Sequence, residues 1–262
     1  MDLGLRGKVA LITGASNGFG RAVAHALAAE GMDVALVARG EARLRETAAE
    51  VAAASGRRAL ALPADVRDGA AVGLAVERAA VAFGRLDAVV NSAGGAPIHG
   101  PLDAPEAVWR DSLETKLLGT VRVSTAAVPH LRRAGGGAIV TIVGGAGKDP
   151  FALLTVNSVI NAGLLAYIKC LADTVAGDRI RVVGLSPGAS ETGLLRSMAE
   201  GIAAVTGSTT EQTMAQMRKS PLGRLPTAEE VAAFVAFLAS ERASMVTGTS
   251  VEIDAGGKRG LA

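Results

Sequence analysis

Cysteine, histidine and aromatic residues are scarce in this chain of 262 residues, which has one cysteine, three histidines, one tyrosine and one tryptophan. A disulfide needs two cysteines, so Cys170 cannot form one within the chain, and such sparse use of cysteine is typical of a reducing compartment. The histidines do not cluster with Cys170 and carboxylates at the spacing of metal ligands. We therefore expect neither an internal disulfide nor a metal site.

An excess of charge is also missing, since 27 lysines and arginines stand against 25 aspartates and glutamates. No basic patch stands out, which argues against nucleic acid as a partner. Residues 1–8 lack the basic and then apolar pattern of a signal peptide, and no uninterrupted apolar run is long enough to span a membrane. These absences predict a cytoplasmic protein with neither a nucleic-acid nor a membrane partner.

Short apolar runs alternate with longer helical patterns along the chain, and 49% of its residues are hydrophobic. The apolar runs show no polar alternation, as expected for strands covered on both faces. The pattern predicts a Rossmann-type doubly wound α/β fold, a parallel sheet of about seven strands with helices on both faces. The predicted strands are 9–12, 34–37, 59–62, 88–90, 138–143, 180–185 and 250–253. The predicted helices are 21–27, 41–54, 68–83, 105–113, 116–133, 153–176 and 228–240, the last opened by a capping box.

No repeat, linker or second domain is evident in the sequence. Residues 1–262 are therefore predicted to form a single domain, with residues 190–220 as its one long insertion.

The stretch Thr13–Gly20, of sequence Thr-Gly-Ala-Ser-Asn-Gly-Phe-Gly, lies between a predicted strand and a predicted helix. Gly14 permits a sharp turn, Gly18 leaves no Cβ between the backbone and a diphosphate, and Gly20 lets the helix pack closely on the strand. The free N–H groups and the positive end of the helix then face the anion. The stretch predicts a dinucleotide-binding turn rather than an ordinary tight loop, with contacts from Gly14, Ser16, Asn17, Gly18, Phe19 and Gly20.

Further cofactor residues are predicted after the later strands, because ligands of this fold bind beyond the carboxyl ends of the strands. At the end of strand two, an acidic residue would bind the ribose hydroxyls of NAD, but the chain has Ala38 and then Arg39. Arg39 favours the 2′-phosphate of NADP, with NAD and a merely solvated arginine as alternatives. The remaining predicted cofactor residues are Asp65, Val66, Asn91, Ala93, Gly94, Pro187, Gly188 and Thr192.

Taken together, these motifs resemble the short-chain dehydrogenase/reductase family along nearly the whole chain, including its 3-oxoacyl-ACP reductase-like members. The matching segments are Thr13–Gly20, Asp65-Val66, Asn91–Gly94, Pro187-Gly188 with Thr192, and Pro221–Arg224 through Val246–Gly248 to Gly256-Gly257. The resemblance implies a Rossmann-type sheet and a nicotinamide cofactor bound by those residues. It also implies a homo-oligomer, a tetramer or a dimer, packed through the predicted helices 116–133 and 153–176.

The catalytic half departs from the family pattern. The resemblance implies a Tyr as general acid/base, a Lys one turn later that holds the nicotinamide ribose, a Ser that orients the substrate, and an Asn that holds a water. At these positions the chain has Asn157, Asn161, Gly144 and Lys116, respectively. The only tyrosine, Tyr167, lies about 15 Å farther along the helix than Asn157 and is interpreted as a packing residue. No member of the family tetrad is therefore present.

Asn and Lys have traded places between positions 116 and 161. One hypothesis is that Lys116 restores a cation near the nicotinamide ribose, with a pKa that desolvation lowers enough for acid/base work. The alternative is a surface lysine without a role. An Asn amide donates hydrogen bonds but no proton near neutral pH, and general acid catalysis is worth about 10²–10⁴-fold in rate. The usual mechanism is thus excluded, whereas a rearranged one is not.

Other candidates carry less weight. His99, in the loop after Gly94, is either a catalytic group that titrates near pH 7 or an ordinary loop histidine, and it joins Lys116, Asn157 and Asn161 as a candidate. Lys148 and Asp149 follow strand five, where we expect a solvated ion pair, the alternative being that they reach the pocket. The leucines and methionines of residues 190–220 predict either a cover for a hydrophobic or acyl substrate or a packed lid.

Two functions from different classes remain open at this point. The first is an NAD(P)-dependent oxidoreductase with a rearranged active site that acts on a carbonyl or alcohol of a small molecule. The second is a catalytically inactive NADP-binding homologue, a sensor or partner subunit, which the loss of the tetrad favours. The fold by itself cannot choose between them.

Overall fold

The computed structural model describes residues 1–190 and 193–258, without the side chains of residues 193 and 194. Its described strands form one parallel sheet of seven strands in the order β3-β2-β1-β4-β5-β6-β7. The strands are β1 Val9–Thr13, β2 Asp33–Ala38, β3 Ala59–Pro63, β4 Ala88–Asn91, β5 Gly137–Ile142, β6 Ile180–Pro187 and β7 Thr249–Ile253. The predicted doubly wound fold is confirmed, with each strand within two residues of its predicted bounds.

Helices cover both faces of this sheet. They are α1 Gly18–Ala29, α2 Glu41–Ser55, α3 Gly69–Phe83, α4 Glu106–Ser112, α5 Gly119–Ala134, α6 Thr155–Val175, α7 Gly193–Thr206, α8 Thr210–Met217 and α9 Ala228–Ala239. One hydrophobic core lies between the sheet and α1, α2 and α9, and the other lies between the sheet and α3, α5 and α6.

Strand β1 shows why the strands are apolar without alternation. Ala10 and Ile12 belong to the core beneath α1 and α9, whereas Val9 and Leu11 belong to the core beneath α3 and α5. Successive side chains of a strand point to opposite faces, so a strand buried on both faces needs an apolar residue at every position.

The chain between β4 and β5 differs from the prediction of two separate helices. Helix α4 continues without a break through a π-helical segment, Leu113–Leu118, into α5. A π-helical turn accommodates one more residue than an α-helical turn, and such turns are frequent at functional sites. Lys116 lies in this segment and is buried.

The insertion at 190–220 contributes α7 and α8 in its described part. Thr209 and Gln212 form a capping box that begins α8, and Thr227 and Glu230 form the predicted one that begins α9. Helix α7 passes close to the loop after β4, since a Cβ built on Gly201 would lie 3.0 Å from Cγ1 of Ile98. The insertion therefore packs over the carboxyl edge of the sheet.

Helix α6 and the residues after it, Thr155–Asp178, are long and apolar enough to cross a membrane by length and composition alone. The core helix of a globular protein can meet the same criterion, and the inward face of α6 packs on the sheet. The free Cys170 lies on its exposed side.

Candidate nucleotide and substrate site

The sheet order reverses between β1 and β4, because successive crossovers leave β1 toward opposite edges of the sheet. A crevice at the carboxyl ends of the strands forms at such a reversal, and ligands of doubly wound folds bind there. The predicted cofactor turn follows β1, and Asn91–Gly94 begins in β4. The fold thus brings the two predicted segments to the same edge of the sheet.

The glycine-rich turn after β1 has the geometry that the sequence predicts. A Cβ on Gly14 would lie 2.6 Å from the carbonyl oxygen of Ser92, and φ at Gly14 is +67°. A Cβ on Gly20 would collide with the carbonyl group of Gly14. By contrast, no atom lies within 4 Å of a Cβ on Gly18, where φ is +51°. The first two glycines are required by packing, whereas Gly18 faces open space in which a ligand can approach the backbone.

The N-terminus of α1 is available to an anion. Its capping residue, Asn17, makes no side-chain hydrogen bond to the helix, and no acidic residue lies in the first turn. Asn17 and Gly18 are exposed, and Ser16 and Phe19 are partly exposed. The free N–H groups of a helix N-terminus attract a phosphate, so these residues fit the diphosphate of a dinucleotide.

Two arginines flank the predicted adenosine end of this site. Arg67, which the sequence analysis missed, donates from Nε and Nη2 to the Asp65 carboxylate and from Nη1 to Asp111. The hydrogen bond from Arg67 holds the pKa of Asp65 below its usual value, and the more distant charge of Arg39 acts in the same direction. Arg39 is exposed and has no ion-pair partner within residues 1–190 and 193–258. Of these two cations, only Arg39 is free to bind another anion.

The segment after β4 is fixed from both sides. Asn91 is buried and donates to Oγ of Ser124 at 3.2 Å and to Oγ1 of Thr141 at 3.4 Å. At Gly94, where φ is +100°, a Cβ would lie 2.8 Å from Cβ of Lys116. Asn91 therefore points into the protein, while the partly exposed Ala93 and the exposed Gly94 follow at the crevice.

Other predicted cofactor residues follow β3 and β6. Gly188 follows Pro187 at the end of β6 and donates from its N–H to the carbonyl of Ile253 at 2.9 Å. Val66 is buried, with its side chain against Gly119. Thr192 lies outside the described residues.

Lys116 and Asn161 are in direct contact. Nζ of Lys116 donates to Oδ1 of Asn161 at 2.7 Å and to the carbonyl of Val143, the residue that follows β5, at 2.6 Å. Burial lowers the pKa of Lys116 from the ordinary 10.5 to about 8. Through these two hydrogen bonds, Lys116 joins the π-helical segment to α6 and to the end of β5.

Gly144, which the sequence analysis places at the position of the family serine, has a backbone conformation that favours glycine. Gly144 has φ +107°, a conformation that side chains with a Cβ rarely adopt, and a Cβ there would lie 3.1 Å from Nδ2 of Asn161. That same amide nitrogen is 3.4 Å from the carbonyl oxygen of Gly144, a long hydrogen bond. Asn161 thus occupies the space next to Gly144. Its Oδ1 accepts a hydrogen bond from the Lys116 ammonium on the other side.

Asn157, which the sequence analysis places at the position of the family tyrosine, is paired with the loop after β4. Its Oδ1 accepts the N–H of Ala96 at 3.1 Å, and its Nδ2 donates to the carbonyl of Ala96 at 3.0 Å. His99 donates from its backbone N–H to Leu153 at 3.1 Å, so the loop is attached to the start of α6 at two points. The only tyrosine, Tyr167, is hydrogen-bonded to Ser124 and Thr125, and burial raises its pKa.

A cavity of about 260 Å³ opens beside Gly145. Its walls come from the loop after β5, the loop after β6, the end of α8 and the C-terminal segment after β7, and include Phe151, Leu154, Met217 and Lys258. Lys116 is not among the lining residues, and Met217 is the predicted lid residue that lines it.

Lys258, which the sequence analysis missed, is held in the wall of this cavity. Its Nζ lies 2.7 Å from Oε2 of Glu252, whose Oε1 lies 3.2 Å from Nζ of Lys148. The predicted ion pair between Lys148 and Asp149 is therefore wrong, because the chain returns through β7 and presents Glu252 to both lysines. Within residues 1–190 and 193–258, no group of three or more His, Cys, Asp or Glu side chains is arranged to hold a metal ion.

Known proteins resemble this chain in sequence over nearly its whole length. The sequence profile described as enoyl-(acyl carrier protein) reductase matches residues 14–258. The chain is 32% identical over 260 residues to the 3-oxoacyl-[acyl-carrier-protein] reductase of Salmonella typhimurium, covering 97% of this chain and 98% of that protein.

Two solved structures have the same fold over nearly their whole length. L-sorbose reductase from Gluconobacter frateurii, complexed with NADPH and L-sorbose, is 33% identical, with a TM-score of 0.92 and 100% of both chains covered. A xylitol dehydrogenase bound to NAD⁺ is 27% identical, with a TM-score of 0.92, covering 97% of this chain and 99% of its own. With the profile match and the sequence identity, these likenesses show that the chain belongs to the short-chain dehydrogenase/reductase family.

Proposed function

We propose that this protein is an NADP-dependent oxidoreductase that acts on a carbonyl or alcohol of a small molecule through a rearranged active site. The observation that carries the proposal is the hydrogen bond of 2.7 Å between Lys116 and Asn161. It returns a cation to the position where family members hold a lysine, although the cation comes from another element. A lysine that had lost all function would more commonly be exposed to solvent than buried.

In this proposal, the nicotinamide and the protein's side chains supply different parts of the reaction. The bound nicotinamide would supply the hydride chemistry. The turn Gly14–Gly20 and the N-terminus of α1 would hold its diphosphate. Lys116, with a pKa of about 8, is largely protonated at pH 7 and so can donate a proton that an Asn amide cannot. In this proposal, Asn161 orients the Lys116 ammonium and Asn157 positions the loop after β4.

The choice of NADP over NAD rests on Arg39. It follows β2, where the ribose of the adenosine half would lie, and it is the unpaired one of the two arginines there. A guanidinium pairs with a 2′-phosphate in a bidentate manner, whereas NAD offers only hydroxyls at that place.

A second function, a catalytically inactive NADP-binding homologue, is favoured by Asn157 and Gly144. The Asn157 amide makes both of its hydrogen bonds to Ala96, and Gly144 cannot present a hydroxyl. In that case Lys116 and Asn161 would only join α6 to the end of β5, and the protein would act as a sensor or partner subunit.

Several further properties belong to the proposal. We expect a cytoplasmic, single-domain protein, a homotetramer or dimer, whose insertion at 190–220 covers the substrate. The apolar side chains Phe151, Leu154 and Met217 of the cavity support a hydrophobic or acyl substrate.

The decisive experiment is a titration of the purified protein with NADPH and NADH, followed by nicotinamide absorbance with L-sorbose, acetoacetyl thioester and cyclic ketones. The proposal expects tighter binding of NADPH and slow oxidation that falls at least about tenfold in Lys116→Met. The control Lys169→Met removes an exposed lysine of α6 and should leave both unchanged. Turnover that survives Lys116→Met would refute the role of Lys116. Tight NADPH binding without turnover would favour the inactive homologue.

A further inference from the structure

We propose that the Lys258 ammonium binds the reacting oxygen of the substrate, taking over the contact that the missing hydroxyls make elsewhere in the family. This inference rests on the proposed function. It assigns a substrate-binding group in the C-terminal segment after β7, which the sequence motifs do not indicate.

The first observation is position. Cε of Lys258 lies 3.4 Å from the place of a Cβ on Gly145, the neighbour of Gly144 at the serine position. Both Gly145 and Lys258 line the cavity of about 260 Å³. Because Gly145 has no side chain, the lysine stem passes directly over the backbone next to Gly144, which is where this proposal places the reacting oxygen.

The second observation is fixation. The backbone N–H of Lys258 donates to Oδ2 of Asp254 at 2.8 Å, and its Nζ donates to Oε2 of Glu252 at 2.7 Å. Glu252 is held from the other side by Lys148, which also donates to the carbonyl of Ser250 at 3.1 Å. Only 18% of the Lys258 side chain is exposed. An ammonium ion carries three protons, so one hydrogen bond to Glu252 leaves others for a ligand.

The third observation concerns the alternatives within the cavity. Ser220 donates its hydroxyl to the carbonyl of Arg224, and Asp254 accepts the N–H groups of Gly256 and Lys258. Lys219 is exposed at the rim. Lys258 is therefore the lining cation that combines low exposure with a fixed position. A charged donor makes a stronger hydrogen bond to oxygen than the neutral serine that it would replace.

Binding of cyclohexanone and of methylenecyclohexane, which has the same shape without the oxygen, tests this role by ligand-observed NMR. The full-length protein is titrated alone and with NADPH. We expect the wild type with NADPH to prefer the ketone about tenfold, and Lys258→Met to lose that preference. Lys258→Arg, which keeps a cation, should retain part of it. Lys219→Met is the matched control, because it removes the other lysine of the cavity, which is exposed, and its preference should stay within about twofold of wild type.

The outcomes separate the two proposals. If Lys258→Met still prefers the ketone, or if the NADPH-bound wild type shows no preference, the role of Lys258 is refuted while the proposed function stands. If NADPH fails to bind at all, the proposed function fails. In that event, a ketone preference of the protein alone that depends on Lys258 would still support the oxygen site, and its absence would refute it.

Discussion

The carboxyl edge of the sheet has two halves, the loop after β1 and the loop after β5, and different contacts hold them in place. Around β1, the glycine positions are dictated by backbone contacts, since Gly14 and Gly20 leave no room for a Cβ. Around β5, Gly144 has φ +107° and a Cβ there would lie 3.1 Å from Nδ2 of Asn161, whose Oδ1 accepts a hydrogen bond from the buried Lys116. The first half is built to receive a ligand, and the second is built around an internal lysine. Two loops at one edge of a sheet can therefore be fixed by different forces, backbone packing in one and side-chain hydrogen bonds in the other.

The largest expected effect comes from breaking the first half. Gly20→Ala places a Cβ against the carbonyl of Gly14, and backbone atoms cannot yield as a flexible side chain can. We expect the free energy of unfolding to fall by about 3 kcal/mol and NADPH binding to be lost. Chemical denaturation and nucleotide titration measure these two effects.

Gly73→Ala provides the control for this change. No atom lies within 4 Å of a Cβ on Gly73, which lies inside α3, so alanine should stabilise the protein by about 0.5–1 kcal/mol. Equal losses in the two variants would mean that Gly20 is not a special packing position.

The second prediction concerns the pH dependence that Lys116 gives to the other half. Its pKa is about 8 in the folded protein against the ordinary 10.5, so the unfolded chain binds the proton more tightly between these pH values. Folding stability should therefore rise with pH through this window, by up to about 3 kcal/mol, with the penalty for burying the charge fully present below pH 8.

Urea denaturation at pH 7.5, 8.5 and 9.5 checks this slope, and Lys116→Met should lack it. A wild-type curve that is flat or falls over this range, or an unchanged slope in Lys116→Met, would show that the buried ammonium does not control stability there.

The third prediction concerns the choice between NADPH and NADH in the first half. Arg39→Ala should weaken NADPH binding about tenfold and leave NADH binding within about twofold, because only NADPH offers the 2′-phosphate. Arg45→Ala removes an equal charge from the exposed face of α2 and serves as the control. Parallel losses for both nucleotides in Arg39→Ala would contradict phosphate recognition.

The smallest effect is expected at the junction of the two halves. Asn157→Ala removes both hydrogen bonds to Ala96, so hydrogen exchange of the Ala96 amide should accelerate about tenfold. Thr155→Ala alters the first turn of the same helix without touching the loop after β4 and should leave that rate unchanged. An unaltered rate in Asn157→Ala would mean that other contacts hold the loop.

The sequence predicts the sheet because burial on both faces leaves uninterrupted apolar runs such as 9–12 and 34–37. It predicts the helix caps because capping depends on residues that are close in the sequence, such as Thr227 and Glu230. It does not reveal the π-helical segment at Lys116, since an extra residue in a turn leaves no local pattern. It also misses Lys258 and Arg67, because their roles depend on contacts that only the folded chain creates.

The backbone at Gly144 has a consequence for protein engineering. A graft of the tetrad that the sequence analysis assigns to the family would require a serine to adopt φ +107° beside position 161. The graft would have to transfer the loop together with its residues, with residues 144–147 replaced as a unit before the side chains at 116, 157 and 161 are changed. The effect of the side-chain changes should then depend on the backbone that carries them, so that the same substitutions are inert on the present loop and productive on the rebuilt one.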